Sequence, residues 1–235
     1  MHALDPIHEW FDHQGWTPLP FQQTTWEAYL EGRSGLIQVP TGSGKTFAAV
    51  MGPIARMLDE TKPTHGIRLL YLTPLRALSR DLALAIREPI EAMGWPLRVG
   101  IRNGDSSSSE RTKQLKSPPQ ILVTTPESLT LLLSNPKAEE LFASLDTVVL
   151  DEWHELMGSK RGSQTELCLS WLRHHRPALQ TWAISATIGN LKQAARHALG
   201  SHADPLIVGG APARATAAQS SAPHHRDGLP EPPAL

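Results

Sequence analysis

Val39-Pro40-Thr41-Gly42-Ser43-Gly44-Lys45-Thr46 stands between an apolar run, in which Leu36, Ile37 and Val39 fall, and a segment over 47–58 whose apolar residues recur at helical spacing. A glycine-punctuated loop on a strand-to-helix turn is a phosphate cradle. Gly42 and Gly44 allow backbone conformations that a Cβ would block, and they leave successive N–H groups free to point inward at an anion. The following helix adds its own unpaired N–H groups and dipole at the same point. Thr41, Gly42, Ser43, Gly44, Lys45 and Thr46 are therefore the candidate nucleotide-binding residues. Lys45 is placed to reach the β and γ phosphates, and the Thr46 hydroxyl to ligate Mg²⁺. The plain alternative is a Gly/Ser/Thr loop with a solvated lysine, and the flanking strand and helix argue against it. Val39 departs from the strict pattern, which has glycine at that position.

A second cluster completes such a site. Val148-Val149-Leu150-Asp151-Glu152-Trp153-His154 sets two carboxylates directly after an apolar strand. There Asp151 would hold the Mg²⁺ of a bound ATP, usually through water, and Glu152 would activate the attacking water as general base. Glu152, Asp151 and Lys45 are thus the catalytic candidates, and Thr46 and Asp151 the metal candidates. Adjacent acids can also be a charge cluster at a helix N-terminus. His154 with His174 and His175 lacks the ligand spacing of a zinc site, and the chain carries no Gly-x-Ser-x-Gly elbow. Ser185-Ala186-Thr187 follows the next apolar strand. With His154, the Ser185 and Thr187 hydroxyls are candidates for coupling the Asp151 region to a bound nucleic acid, although the tripeptide alone is weak evidence.

Further apolar runs at 67–72, 97–101, 120–124, 146–150 and 181–185 alternate with helical segments, among them 20–30 and a long one over 75–93. That alternation predicts an α/β fold: a three-layer P-loop domain with a mostly parallel central sheet and helices on both faces, its ligands at the carboxyl ends of the strands. The expected organisation is an N-terminal aromatic segment at 1–34 packing on the main domain, the domain itself at 35–210, and an Ala/Pro-rich tail at 211–235 too poor in apolar residues to fold. In the first segment Gln22 is singled out, since an amide can pair with both edges of an adenine. The loop Asn103-Gly104-Asp105-Ser106-Ser107-Ser108-Ser109-Glu110 precedes Arg111, Lys113 and Lys116; Asp105 or a serine is expected to cap a short helix whose cations point outward. With 22 Lys+Arg against 23 Asp+Glu there is no global basic field, so nucleic-acid binding has to be local. The single cysteine, Cys168, excludes an internal disulfide and fits the cytoplasm. No apolar stretch reaches the ~18 residues that cross a bilayer.

Taken in order, Pro-Thr-Gly-Ser-Gly-Lys-Thr, Thr73-Pro74-Leu75-Arg76-Ala77-Leu78, Thr125-Pro126-Glu127-Ser128-Leu129, Asp-Glu-Trp-His and Ser-Ala-Thr resemble motifs I, Ia, Ib, II and III of superfamily 2 helicases. The stretch Asp151-Glu152-Trp153-His154-Glu155-Leu156-Met157-Gly158-Ser159-Lys160-Arg161-Gly162 is similar to the large helicase-related (Lhr-like) family and its ligase-associated DEXH-box branch, as are Pro20-Phe21-Gln22 and the serine-rich loop. The resemblance covers about residues 10–210 and implies a RecA-like domain 1. It also implies that Gln22 reads adenine and that Arg76, Gly104 and Thr125 touch a nucleic-acid backbone. Members of the family use ATP and Mg²⁺ to translocate on single-stranded DNA and unwind duplexes in repair. The partners so implied are single-stranded DNA, a second RecA-like domain supplying arginine fingers, and DNA ligase-associated repair proteins. The 235 residues end before such a second domain could begin, so the chain alone is expected to bind ATP weakly, to hydrolyse it poorly and not to unwind DNA. The alternatives are an ATP-gated nucleic-acid binding module, an inactive fragment, or RNA in place of DNA.

Overall fold

The computed structural model describes residues 2–40, 42–60, 66–186, 191–200 and 205–209. Seven strands, β1 Gly35–Gln38, β2 Leu69–Leu72, β3 Val99–Arg102, β4 Ile121–Thr124, β5 Thr147–Leu150, β6 Gln180–Ser185 and β7 Leu206–Val208, pair in the order β3-β4-β2-β5-β6-β1-β7. Every pairing is parallel. The helices are α1 Asp5–His13, α2 Pro20–Leu30, α3 Lys45–Asp59, α4 Ser79–Ala92, α5 Ser108–Lys116, α6 Pro126–Leu133, α7 Ala138–Leu141, α8 Trp153–Leu156, α9 Lys160–His175 and α10 Leu191–Leu199.

Successive strand residues point to opposite faces, and the apolar runs here are continuous, so each strand supplies both cores. Ile37, Leu69, Tyr71 and Val149 face one cluster with Val50 and Ile54 of α3 and Ile86 of α4. Leu36, Leu70, Leu72, Val148 and Leu150 face the other, with Leu129 of α6, Trp153 of α8 and Leu169 of α9. Trp10 and Phe11 of α1 and Trp26 of α2 are buried in the first cluster; Trp10 and Phe11 pack edge-on against Phe47 at the start of α3, and Trp26 packs edge-on against Phe11.

Two polar clusters at the amino ends of the strands fix the helices to the sheet. Arg56 of α3 donates to the Gln180 side chain (2.6 Å) and to the Tyr29 carbonyl (2.8 Å), with its guanidinium 4.3 Å from the centre of the Tyr29 ring. The Tyr29 hydroxyl in turn bonds Thr147 of β5 at 2.7 Å. Arg68, buried just before β2, donates to both carboxylate oxygens of Glu60 (2.8 and 2.6 Å) and to Asp146, which also receives Arg176.

The structure departs from the sequence reading in several places. The helix expected over 75–93 begins as a 3-10 turn, Arg76–Leu78, because Leu75 is extended and its N–H is taken by the Thr73 hydroxyl; the α-helix starts only at Ser79. Helix α3 begins two residues before the expected 47, directly on the glycine loop. Strand β7 and helix α1 are additional; the first is three residues long and the second is amphipathic only through Ile7, Trp10 and Phe11. The tail at 211–235 lies outside the described residues.

Bonding to Arg68 holds the Glu60 carboxyl below its ordinary value of 4.5. Its contribution to stability is therefore complete above that value and is lost as pH falls through the lower folded-state value. Glu60→Gln is expected to unfold at lower urea than the parent at pH 7, the gap closing as both are titrated below about pH 4. A gap that stays constant through the acid range overturns this account of the Arg68 cluster.

Candidate active site

The phosphate loop is shaped by two left-handed glycines, Gly42 (φ +80°) and Gly44 (φ +83°), with α3 starting at the next residue. Ser43 donates its hydroxyl to the Pro40 carbonyl at 2.7 Å and tightens the turn. From α2, Gln22 reaches across: its amide nitrogen donates to the Gly44 carbonyl at 3.2 Å, while its oxygen accepts the Leu19 N–H at 2.8 Å. Gln22 is almost fully buried. The amide expected to read adenine thus also bridges the start of α2 to the loop, a positional role that the spacing of residues did not suggest.

Lys45, buried in the first turn of α3, ends 3.4 Å from Oε1 of Glu152. Glu152 has φ +43°, and it is the only non-glycine with positive φ among the described residues. Such a backbone costs on the order of 1–3 kcal/mol and persists only where the surroundings over-determine it. Here they do. The Glu152 N–H donates to Asp151 Oδ1 (3.0 Å), its carbonyl accepts the Glu155 N–H (2.8 Å), and its carboxylate lies between Lys45 and His154 Nδ1, the latter at 3.4 Å. His154 Nδ1 is also 3.0 Å from the Ser185 hydroxyl at the end of β6. Lys45, Glu152, His154 and Ser185 therefore form one continuous polar row. Thr41 and Thr187 lie outside the described residues.

Asp151 is buried beside Glu152, and burial first, then the neighbouring carboxylate, pushes its pKa up to about 6 in spite of Lys45. The Tyr71 hydroxyl, wholly buried beside Asp151 and Thr46, has no hydrogen-bond partner at good geometry. An under-compensated carboxylate, a threonine hydroxyl and an orphaned phenol make a set of hard oxygens, and such a set suits Mg²⁺. The residues present fit the ion expected from the sequence.

The loops beyond β2, β3 and β4 sit at the same carboxyl edge. Arg76 pairs with Asp105 (3.3 Å), both side chains mostly exposed, and Gly104 lies under the guanidinium, where a Cβ would come within 2.7 Å of Nη1. Helix α5 is capped by Ser107, which accepts from the Glu110 N–H while the Glu110 carboxylate accepts from the Ser107 N–H. Asp105, paired with Arg76, is not the cap. Of the cations expected to point outward, Lys113 and Lys116 do, but Arg111 turns back to donate to the carbonyls of Asn103 and Gly104. Thr125 is buried and caps α6 by accepting the Ser128 N–H. The sequence reading gave no role to Tyr71, Glu127 or Arg161, although Glu127 and Arg161 stand in stretches it had marked, and it considered Asp105 only as a helix cap.

Known proteins resemble this chain in sequence and in fold. Residues 19–194 match the family described as DEAD/DEAH box helicase. The chain is 38% identical over 201 residues to the Lhr helicase/probable uracil glycosylase of Mycolicibacterium smegmatis, covering 80% of this chain and 13% of that protein. To the ATP-dependent helicase Lhr-Core of Methanocaldococcus jannaschii it is 36% identical over 216 residues, covering 86% of this chain and 25% of the relative. The chain thus spans a quarter or less of the length of these curated relatives. The structure of the Mycobacterium smegmatis helicase Lhr bound to ssDNA and AMP-PNP superposes with a TM-score of 0.78 at 35% identity, covering 88% of this chain and 28% of that one.

The two loop glycines differ in a way that can be measured. A side chain at Gly42 meets nothing within 4 Å and is disfavoured by φ alone, whereas one at Gly44 also runs into Gln22 Nε2 at 2.7 Å. Gly42→Ala is expected to cost about 1–2 kcal/mol in urea unfolding, the ordinary left-handed penalty. Gly44→Ala is expected to cost more, with the excess disappearing in a Gln22→Ala background. Equal costs for the two glycines would show that Gln22 does not brace the loop.

Proposed function

The chain belongs to the DEAD/DEAH box helicase family, and on that premise we propose that it is the first RecA-like half of an Lhr-type ATP-dependent DNA helicase motor. The observation that carries this reading is the meeting of Lys45 from one strand-to-helix turn with Asp151 and Glu152 from another. Lys45 cannot serve Glu152 and a phosphate equally well. When the γ-phosphate of ATP draws the ammonium away, the Glu152 carboxylate is released to accept the proton of the attacking water. His154 remains beside it and links it to Ser185, with Thr187 next along, as the coupling elements. Thr46 and Asp151 would hold Mg²⁺, which when bound supplies charge neutralisation at the phosphate oxygens. Thr41, Gly42, Ser43 and Gly44 bind the phosphates by their backbone, and Gln22 offers its remaining amide N–H to the adenine.

Single-stranded DNA is the proposed substrate, supported by the likeness to an Lhr structure that holds ssDNA. Arg76, Gly104 and Thr125 lie on the loops that would follow its backbone, so binding should be largely independent of sequence and sensitive to salt. The same reading places the protein in the cytoplasm and in DNA repair, beside ligase-associated partners. It divides the chain into a packed aromatic segment at 1–34, a motor half at 35–210 and a tail at 211–235. Among the described residues no helix is long and apolar enough to cross a membrane.

A two-domain motor of this kind takes its arginine fingers from the second RecA-like half, and loss of such a finger costs about 10³- to 10⁵-fold in related phosphoryl-transfer enzymes. A polypeptide of these 235 residues, assayed without that half, is therefore expected to bind nucleotide through Lys45 yet to turn ATP over far below ~1 s⁻¹, with or without an oligothymidylate. DNA-stimulated turnover at ~1 s⁻¹ or more, abolished by Lys45→Ala, would overturn the half-motor reading. Nucleotide binding untouched by Lys45→Ala would overturn the assignment of the site.

A further inference from the structure

We propose that Arg161 is a positioning residue that ties the loops of the nucleic-acid face to the helix following the Asp151-Glu152 carboxylates, so that nucleotide and nucleic acid affect each other's binding. The inference rests on the functional reading above and adds to it a named mechanical link.

The link starts at Glu152, the N-cap of α8, a helix of only four residues. The carboxyl end of α8 is locked to the amino end of α9. Ser159 donates its hydroxyl to the Leu156 carbonyl (2.7 Å) and accepts the Gly162 N–H (3.0 Å). Gly162 itself lies so close under the Leu156 carbonyl that a Cβ there would collide with the backbone oxygen. Little slack is left between the two helices: a change in the backbone of Glu152 that shifts α8 has to be passed to the first turn of α9.

Arg161 occupies that first turn. Its Nη1 donates to the Pro74 carbonyl at 3.1 Å, and its Nε lies 2.6 Å from Oε1 of Glu127. Pro74 is two residues before Arg76, and Glu127 is two residues after Thr125. One planar guanidinium thus grips two of the three loops that carry the proposed backbone contacts and seats them on the element that follows the carboxylates. The fork geometry of arginine is needed, since a lysine ammonium at the end of a flexible chain cannot present fixed donors in two directions. Both Arg161 and Glu127 are about half exposed. An ion pair so exposed adds little to folding stability, so its geometry is better explained by alignment than by holding the fold.

The release of Lys45 from Glu152 supplies the motion. Glu152 is held in a left-handed backbone by contacts that include the Lys45 pair. Removing that partner lets the backbone relax, and the rigid α8–α9 joint passes the displacement through Arg161 to Pro74 and Glu127 together.

The test is a thermodynamic cycle on the full 235-residue chain. The affinity for Mg²⁺·AMP-PNP is measured with and without saturating oligothymidylate, and the affinity for the oligonucleotide with and without nucleotide. In the parent chain the two ligands are expected to alter each other's affinity by about 5-fold or more. Arg161→Ala is expected to bring that factor to within about twofold of unity while changing each separate affinity less than about threefold, Arg161→Lys to restore only part of it, and Glu127→Ala to match Arg161→Ala with no further loss in the double variant, as interacting residues behave. Thermal unfolding of each variant identifies any that is merely destabilised. Coupling preserved in Arg161→Ala, or absent from the parent although both ligands bind, overturns the proposal. So does a loss of oligonucleotide affinity equal with and without nucleotide, which would make Arg161 a direct phosphate contact. A parent chain that binds neither ligand would instead overturn the reading of the site itself.

Discussion

Parallel strands cannot be joined by tight turns, so each of the six crossovers between the seven strands must carry the chain across a face of the sheet. That requirement covers both faces with helices and leaves the polar loops at the two ends of the strands. At the amino ends, charged side chains close the structure upon itself: Arg56 and Arg68 spend their donors on Gln180, Glu60, Asp146 and backbone carbonyls. At the carboxyl ends the opposite holds. There the glycine loop after β1, the two acids after β5, Ser185 at the end of β6 and the cationic loops after β2 and β3 stand side by side because β1, β5 and β6 are near neighbours in the sheet and β2 adjoins β5. The site follows from the strand order, and the two ends of one sheet divide stability from chemistry.

Electrostatics at that edge is deliberately unbalanced. Two carboxylates adjacent in sequence share a single close lysine, and the more buried of them, Asp151, is pushed up to about 6. In a purely structural role such a pair would be a poor choice, since an apolar residue at 151 would avoid the cost of burying a charge. The left-handed Glu152 compounds that cost. Both are the kind of local penalty that a fold bears where it must bind something of opposite charge, and the hard oxygens grouped there suit a divalent cation. The same reasoning separates Asp151 from Glu60, whose carboxylate is matched by Arg68 and lies below its ordinary value.

How much of this was legible in the sequence depends on the range of the interaction. The strands, the phosphate loop and the acid pair were readable because each is local: an apolar run bounded by turn residues, a glycine spacing, two carboxylates after a strand. The start of α4 was not, because the extended Leu75 is fixed by the hydroxyl of Thr73 and no periodicity registers that bond. Strand β7 was missed since three residues carry too little pattern, and its place is set by pairing with β1. In the serine-rich loop a serine or Asp105 could equally cap α5; the choice of Ser107 is decided by Glu110 three residues on and by Arg76 drawing Asp105 away. Long-range partnerships such as Arg161 with Pro74 leave no trace in spacing at all.

Gln22 shows how a residue singled out for one chemistry comes to serve another. It sits in the first turn of α2, and α2 is itself held by Arg56 through the Tyr29 carbonyl and ring, with Tyr29 anchored in turn on β5. The position of the Gln22 amide is thereby referenced to the strand that bears Asp151 and Glu152, although its bond is to Gly44 on the loop after β1. An exposed glutamine would have to lose rotamer freedom on meeting a ligand, whereas this one is already buried with one N–H and its oxygen committed. What it can still offer is a single directed N–H beside the phosphate loop. In the adenine contact proposed for it, such a group would be cheap in entropy and narrow in geometry, and strain on it would be felt at Gly44, where the loop turns into α3. The aromatic N-terminal segment, packed around Phe47 one turn further along the same helix, makes that transmission stiff.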